Sequence, residues 1–97
     1  MENAKKIEII TGSYDMREVI RIITAAGMPG YTLIPDVRGM GERGSRDADG
    51  LTEAFKNSML ILVCEQGQWE SIREPIRNLI SRVGGMVILS DCQYLKH

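Results

Sequence analysis

At 97 residues the chain has room for one domain and not two. Its net charge of −1, from 12 Lys and Arg against 13 Asp and Glu, argues against the broad basic face of a general nucleic-acid binder. Cys64 and Cys92 offer neither metal-ligand spacing nor a disulfide framework, and the longest apolar run, Met59 to Cys64, is far too short to span a bilayer. These features read as reduced thiols in a cytoplasmic protein that is not membrane-embedded. A domain this small buries only about two-thirds of its unfolded surface, so oligomerisation would be a natural source of extra stability.

Lys6 to Thr11 is rich in β-branched residues and ends at Gly12-Ser13, which predicts a strand and a turn. Asp15, with Glu18 three residues on, is placed to open a helix as N-cap or first-turn acid. Met16, Val19, Ile20 and Ile23 recur at helical spacing, and Gly27 followed by Pro29-Gly30 stops the helix. Arg17 and Arg21 lie one turn apart on the other face and read as solvated charges rather than an anion cradle.

Tyr31 to Val37 predicts a second strand, with Pro35 marking an edge or a bulge. Met59 to Cys64 predicts a central strand buried on both faces. Trp69, Ile72, Ile76, Leu79, Ile80 and Val83 share one helical face. That helix starts either at Ser71, with Ser71 and Glu74 forming a capping box, or at Trp69, in which case Pro75 should kink it. Gly84-Gly85 ends it, Met86 to Ser90 is the last strand, and Asp91 to His97 is a short tail. The order β-α-β-β-α-β predicts an α+β, ferredoxin-like fold: a four-stranded antiparallel sheet with two helices on one face.

Four of the ten glycines fall between Val37 and Gly50, in a long charged loop. Such loops are uncommon in short chains and usually functional or disordered. Glycines let backbone N–H groups approach a ligand, and arginine supplies a planar fork of donors for oxyanions. Glu42 to Asp49 has almost no apolar anchor, which suits an order–disorder switch. Gly39-x-Gly41 opens the loop and Gly84-Gly85 sits where the second helix meets the last strand. These places can meet at a sheet edge within one chain, or one subunit's loop can meet a neighbour's double glycine.

RNA recognition lacks its stacking aromatics, and soft-metal binding lacks a Cys-x-x-Cys pair in the first loop. His97 is alone and terminal, so no metal ligands are assigned. No catalytic residue is assigned either: Glu42, Asp47 and Asp49 are the only candidate general bases at the loop and read as solvated charges. A small hydrolase of acyl phosphates or nucleotides is the alternative function class.

Gly30-Tyr31-Thr32, followed by Val37-Arg38-Gly39-Met40-Gly41, resembles the second strand and loop base of the PII signal-transduction proteins. The span from Gly30 to Gly39 is one residue longer than the family's usual pattern, and Gly84-Gly85 resembles its glycine-rich B-loop. The resemblance implies a single PII-like domain over 1–97, a T-loop at about 41–54, and a homotrimer with adenine nucleotides in the clefts between subunits. By position it implies nucleotide contacts at Gly39, Met40, Gly41, Gly84, Gly85 and Met86. Met86 stands where the family's B-loop lysine would be, which favours AMP or ADP while leaving ATP open.

The loop-base glutamine used for 2-oxoglutarate and the T-loop tyrosine used for uridylylation are absent, so nitrogen sensing is not expected. The pattern resembles the PII-like subgroup tied to inorganic-carbon uptake and carboxysomes. That subgroup implies a non-enzymatic sensor whose partner is a bicarbonate transporter or another carbon-concentrating component. Bicarbonate is a small oxyanion that needs several convergent donors. Amides from Gly41 to Gly44, with Arg43 or Arg46, are expected to supply them.

Overall fold

The computed structural model describes residues 1–39 and 56–95. The elements run β1 (Glu2–Gly12), α1 (Met16–Ala25), β2 (Thr32–Val37), β3 (Asn57–Cys64), α2 (Gln66–Val83) and β4 (Met86–Tyr94). The strands form one sheet in the order β2-β3-β1-β4, with every neighbouring pair antiparallel. This is the ferredoxin-like arrangement expected from the element order.

Strand alternation divides the sheet into two apolar faces. Ile7 and Ile9 of β1 and Leu60 and Leu62 of β3 face the helices and are almost wholly buried. Met16, Val19 and Ile23 of α1, with Trp69, Ile72, Ile76 and Leu79 of α2, complete that core. The opposite face carries Ile10, Ile34, Met59, Ile61, Val63, Met86 and Ile88, and none of these is buried. Lys6 and Glu8 interrupt it, Glu8 lying in register between Ile61 and Ile88. β3 is therefore central, but it is buried on one face only, contrary to the expectation from its apolar run. Both helices pack on the same side, so among the described residues nothing covers Met59, Ile61 and Val63.

The helix ends differ from the sequence reading in informative ways. Asp15 occupies the N-cap of α1, but its side chain makes no capping bond, and Glu18 pairs with Arg21 instead. Gly27, at φ 74°, closes α1 with its N–H on the Thr24 carbonyl, while the Met28 N–H reaches the Ile23 carbonyl. α2 begins earlier than either predicted start. Glu65 is the N-cap of a capping box with Gln68, whose side chain accepts the Glu65 N–H at 2.8 Å. The Ser71 hydroxyl donates to the Gln68 carbonyl, so it does not cap. Pro75 lies inside the helix and cannot donate to the Ser71 carbonyl; both residues are exposed, so water can satisfy that carbonyl.

β4 continues to Tyr94, where a tail was expected from Asp91. Its second half pairs with the start of β1, Glu2 to Lys5, and the Lys5–Asp91 ion pair lies across that register. β1 is correspondingly longer than the Lys6–Thr11 run suggested.

Candidate functional site

Antiparallel pairing brings four chain segments to one end of the sheet. Val37 ends β2 opposite Asn57, the first residue of β3; Gly12 ends β1 opposite the same Asn57; Met86 opens β4 opposite Ile10. Gly39 and Gly84-Gly85 thus sit at the same end. They lie at opposite edges, however, beyond β2 and β4 respectively, about 14 Å apart at ordinary strand spacing. The expectation that they meet at one edge within a chain is corrected by this order. The juxtaposition between neighbouring subunits is compatible with it.

The two glycine sites are built differently. Gly84 caps α2 at φ 91° and ψ 160°, its N–H held by the Ile80 carbonyl at 2.8 Å. Gly85 follows at φ 133°, and a Cβ there would lie 2.3 Å from the Ile10 carbonyl oxygen. Only glycine fits, on both counts. At Gly39, by contrast, a Cβ would meet nothing within 4 Å among the described residues. Its glycine is not demanded by packing within the described chain.

The approach to Gly39 contains a bulge. Ile34 pairs with Met59 and Val37 with Asn57, so Pro35 and Asp36 together oppose Ser58. Asp36 takes φ 57° in the left-handed region, which aspartate tolerates better than most residues, and its carboxylate lies 3.7 Å from Lys56. Pro35 had signalled an edge or a bulge, and it marks both.

The hydroxyls of Thr11, at the end of the predicted strand, and Ser13, in the predicted turn, tie this end of the sheet together. Thr11, 2% exposed, donates its hydroxyl to the Gly84 carbonyl at 2.7 Å. The Ser13 and Ser58 hydroxyls lie 2.6 Å apart, and the Ser13 N–H reaches the Lys56 carbonyl. The available signal was a hydroxyl residue at the core-facing position of a strand whose other core positions are aliphatic.

Met86 is 55% exposed and belongs to the helix-free face. Met40, Gly41, Arg43, Gly44 and Arg46, with the candidate bases Glu42, Asp47 and Asp49, lie outside the described residues, as does His97. Cys64 is buried on the helix side and Cys92 half-buried on the other; both thiols are free. Burial, with smaller contributions from Cys92 and Glu65, pushes the Cys64 thiol above its ordinary value. Among the described residues no group of three or more His, Cys, Asp or Glu is arranged to hold a metal, and no helix is long and apolar enough to cross a membrane.

The family model of nitrogen regulatory protein P-II matches residues 4–97. The chain belongs to the P-II family. No curated protein matches the chain. Among solved structures, CPII from Thiomonas intermedia K12, a nitrogen regulatory PII-like protein bound to ADP, AMP and bicarbonate, superposes with a TM-score of 0.86 at 22% identity, covering 96% of this chain and 89% of that one. CPII bound to ADP and bicarbonate gives 0.83 at 22% identity, with the same coverage. A PII-like signaling protein from Thermus thermophilus gives 0.73 at 20% identity, covering 93% and 87%. The P-II fold thus accounts for nearly the whole chain, and the expected membership of the PII family is borne out.

Proposed function

We propose that this P-II protein is a homotrimeric, non-enzymatic sensor of adenine nucleotides and bicarbonate that reports inorganic-carbon status in the cytoplasm. In this reading residues 1–97 form one domain with a T-loop at about 41–54. Nucleotide binds between subunits, with Gly39, Met40 and Gly41 of one facing Gly84, Gly85 and Met86 of the next. Gly41, Arg43, Gly44 and Arg46 hold bicarbonate beside it. The ligand-ordered loop then engages a bicarbonate transporter or another carbon-concentrating component. CPII, with its ADP, AMP and bicarbonate, is the relative that motivates the ligand set.

The observation that carries the reading is the helix-free face, largely apolar from Ile34 to Ile88 apart from Lys6 and Glu8 and uncovered among the described residues, on a sheet whose two glycine junctions stand at opposite edges of one end. A second copy is the simplest cover for that face, and threefold association would bring a β2 edge beside a neighbour's β4 edge. Each half-buried aliphatic side chain covered in this way contributes on the order of 1 kcal/mol, so the seven together make a sizeable driving force.

Light scattering with calorimetry tests both parts. The expected outcome is a trimer mass, with ADP or AMP bound more tightly than ATP. A neutral thioether at Met86 cannot neutralise phosphate charge, so Met86→Lys is expected to raise ATP affinity by about tenfold, the worth of one charge-assisted hydrogen bond. Bicarbonate in place of chloride, at matched pH and ionic strength, is expected to change nucleotide affinity. A monomer at micromolar concentration would sink the intersubunit site. Identical affinities in the two salts would leave a sensor of nucleotide alone.

A further inference from the structure

We propose that Thr11 is a positioning residue for the nucleotide phosphates, acting through the peptide that joins Gly84 to Gly85; this rests on reading that junction as the phosphate side of the site. Peptide planarity sets the geometry. The Gly84 carbonyl and the Gly85 N–H belong to one trans peptide unit, so they point in opposite directions. The Thr11 hydroxyl holds the Gly84 carbonyl at 2.7 Å, from a side chain that is 2% exposed. Fixing the carbonyl toward Thr11 therefore aims the Gly85 N–H away from the sheet end.

The junction is also closely approached by β1. The Ile10 carbonyl and the Thr11 side chain occupy the space where a Cβ at Gly85 would sit, with Thr11 Cβ at 3.0 Å from that point and its Oγ1 at 3.1 Å. Backbone rotation at Gly84-Gly85 would ordinarily be cheap, because glycine restricts neither dihedral angle. Here the Thr11 hydroxyl on the Gly84 carbonyl and the Gly84 N–H on the Ile80 carbonyl limit that freedom before a ligand arrives. A donor aimed in advance avoids the ordering cost on binding, so its effect is felt in affinity. Volume alone would be served as well by valine, which lacks the hydrogen bond.

The Ser13–Ser58 pair provides an internal comparison. It is a hydroxyl–hydroxyl bond of 2.6 Å at the same end of the sheet, and it touches neither glycine of the junction. A general softening of this end would follow from losing either bond, whereas an effect on the phosphates would follow only from losing the bond at Thr11.

The test is calorimetry of ADP and of adenosine on the intact protein and on Thr11→Val, Thr11→Ser and Ser58→Ala. Thr11→Val is expected to weaken ADP binding by about tenfold while leaving adenosine binding within about twofold, the scale of one lost hydrogen bond to an anion. Thr11→Ser is expected to restore ADP binding, and Ser58→Ala to leave it unchanged. Thr11→Cys, which keeps a weaker donor of similar size, is the second variant should Thr11→Val not fold, with an intermediate loss expected. Equal ADP affinity in Thr11→Val and the unaltered protein overturns the role of Thr11 alone. Equal losses in Thr11→Val and Ser58→Ala, or equal losses for ADP and adenosine, also overturn it. Failure of the unaltered protein to bind ADP overturns the nucleotide-sensor reading and this inference together.

Discussion

The two faces of the sheet are similar in composition and opposite in fate. On one, Ile7, Ile9, Leu60 and Leu62 disappear beneath α1 and α2. On the other, Ile10, Met59, Ile61, Val63 and Ile88 lie uncovered, next to Met86 at 55% exposure. A sheet facing water on one side normally alternates apolar and polar residues. β3 does not: its Met59-Leu60-Ile61-Leu62-Val63 run is apolar on both sides. The first face specifies how one chain folds, and the second specifies how much of its surface must be covered by something else. A large apolar face of this kind, broken only by Lys6 and Glu8, is uncommon on the surface of a small chain.

Damaging each face in turn separates their roles. On the helix side, Leu60→Ala removes a side chain with no exposed surface and is expected to cost about 2–5 kcal/mol, a large part of the stability of so small a domain. Chemical denaturation should show the loss at every protein concentration. On the open side, Ile61→Glu places a charge at the centre of the proposed contact. The expected result is a fall in mass to that of one chain, with the helical circular-dichroism signal retained and a midpoint of unfolding that no longer rises with concentration. A trimer that survives Ile61→Glu would show that the open face serves another purpose.

A smaller effect distinguishes the faces by reactivity. Cys64 lies on the helix side with its thiol raised by burial, so the neutral form is favoured in the fold. A group raised on folding leaves stability untouched below the unfolded thiol value of about 8.5 and lowers it as pH climbs through the folded value. In a Cys92→Ser background, alkylation of Cys64 at pH 8 is expected to track unfolding. Prompt labelling of folded protein would contradict the burial.

The elements with strong local signals were legible in the sequence. The helical spacing of Met16, Val19 and Ile23, the stops at Gly27 and Gly84, and Pro35 as an edge marker all reappear in the fold. What escaped was decided by contacts far apart in sequence. Asp91 to Tyr94 is too polar to announce a strand, and it is extended because Glu2 to Lys5 pairs with it. Glu65 is not among the preferred N-cap residues, and its role emerges only from the reciprocal bond with Gln68. Gly84-Gly85 reads in the sequence as a conformationally special place, and its positive φ angles bear that out. Its separation from Gly39 follows from the strand order, which sends β2 and β4 to opposite margins. Thr11 was legible as a residue and not as a role, since a hydroxyl looks the same whether it faces solvent or holds a carbonyl 73 positions away.

The bulge at Pro35-Asp36 has a consequence for what this sheet does not do. A sheet with two free margins is a template for adding strands without end, which is how soluble chains become fibres. β4 offers nine residues of such a margin. On the β2 side proline supplies no N–H at position 35, and the left-handed Asp36 turns the backbone out of the ladder. Only Thr32 to Ile34 remains regular enough to accept a neighbour. A short, interrupted margin gives an added strand few regular positions to pair with, so the irregularity before Gly39 guards the β2 edge against strand-by-strand growth.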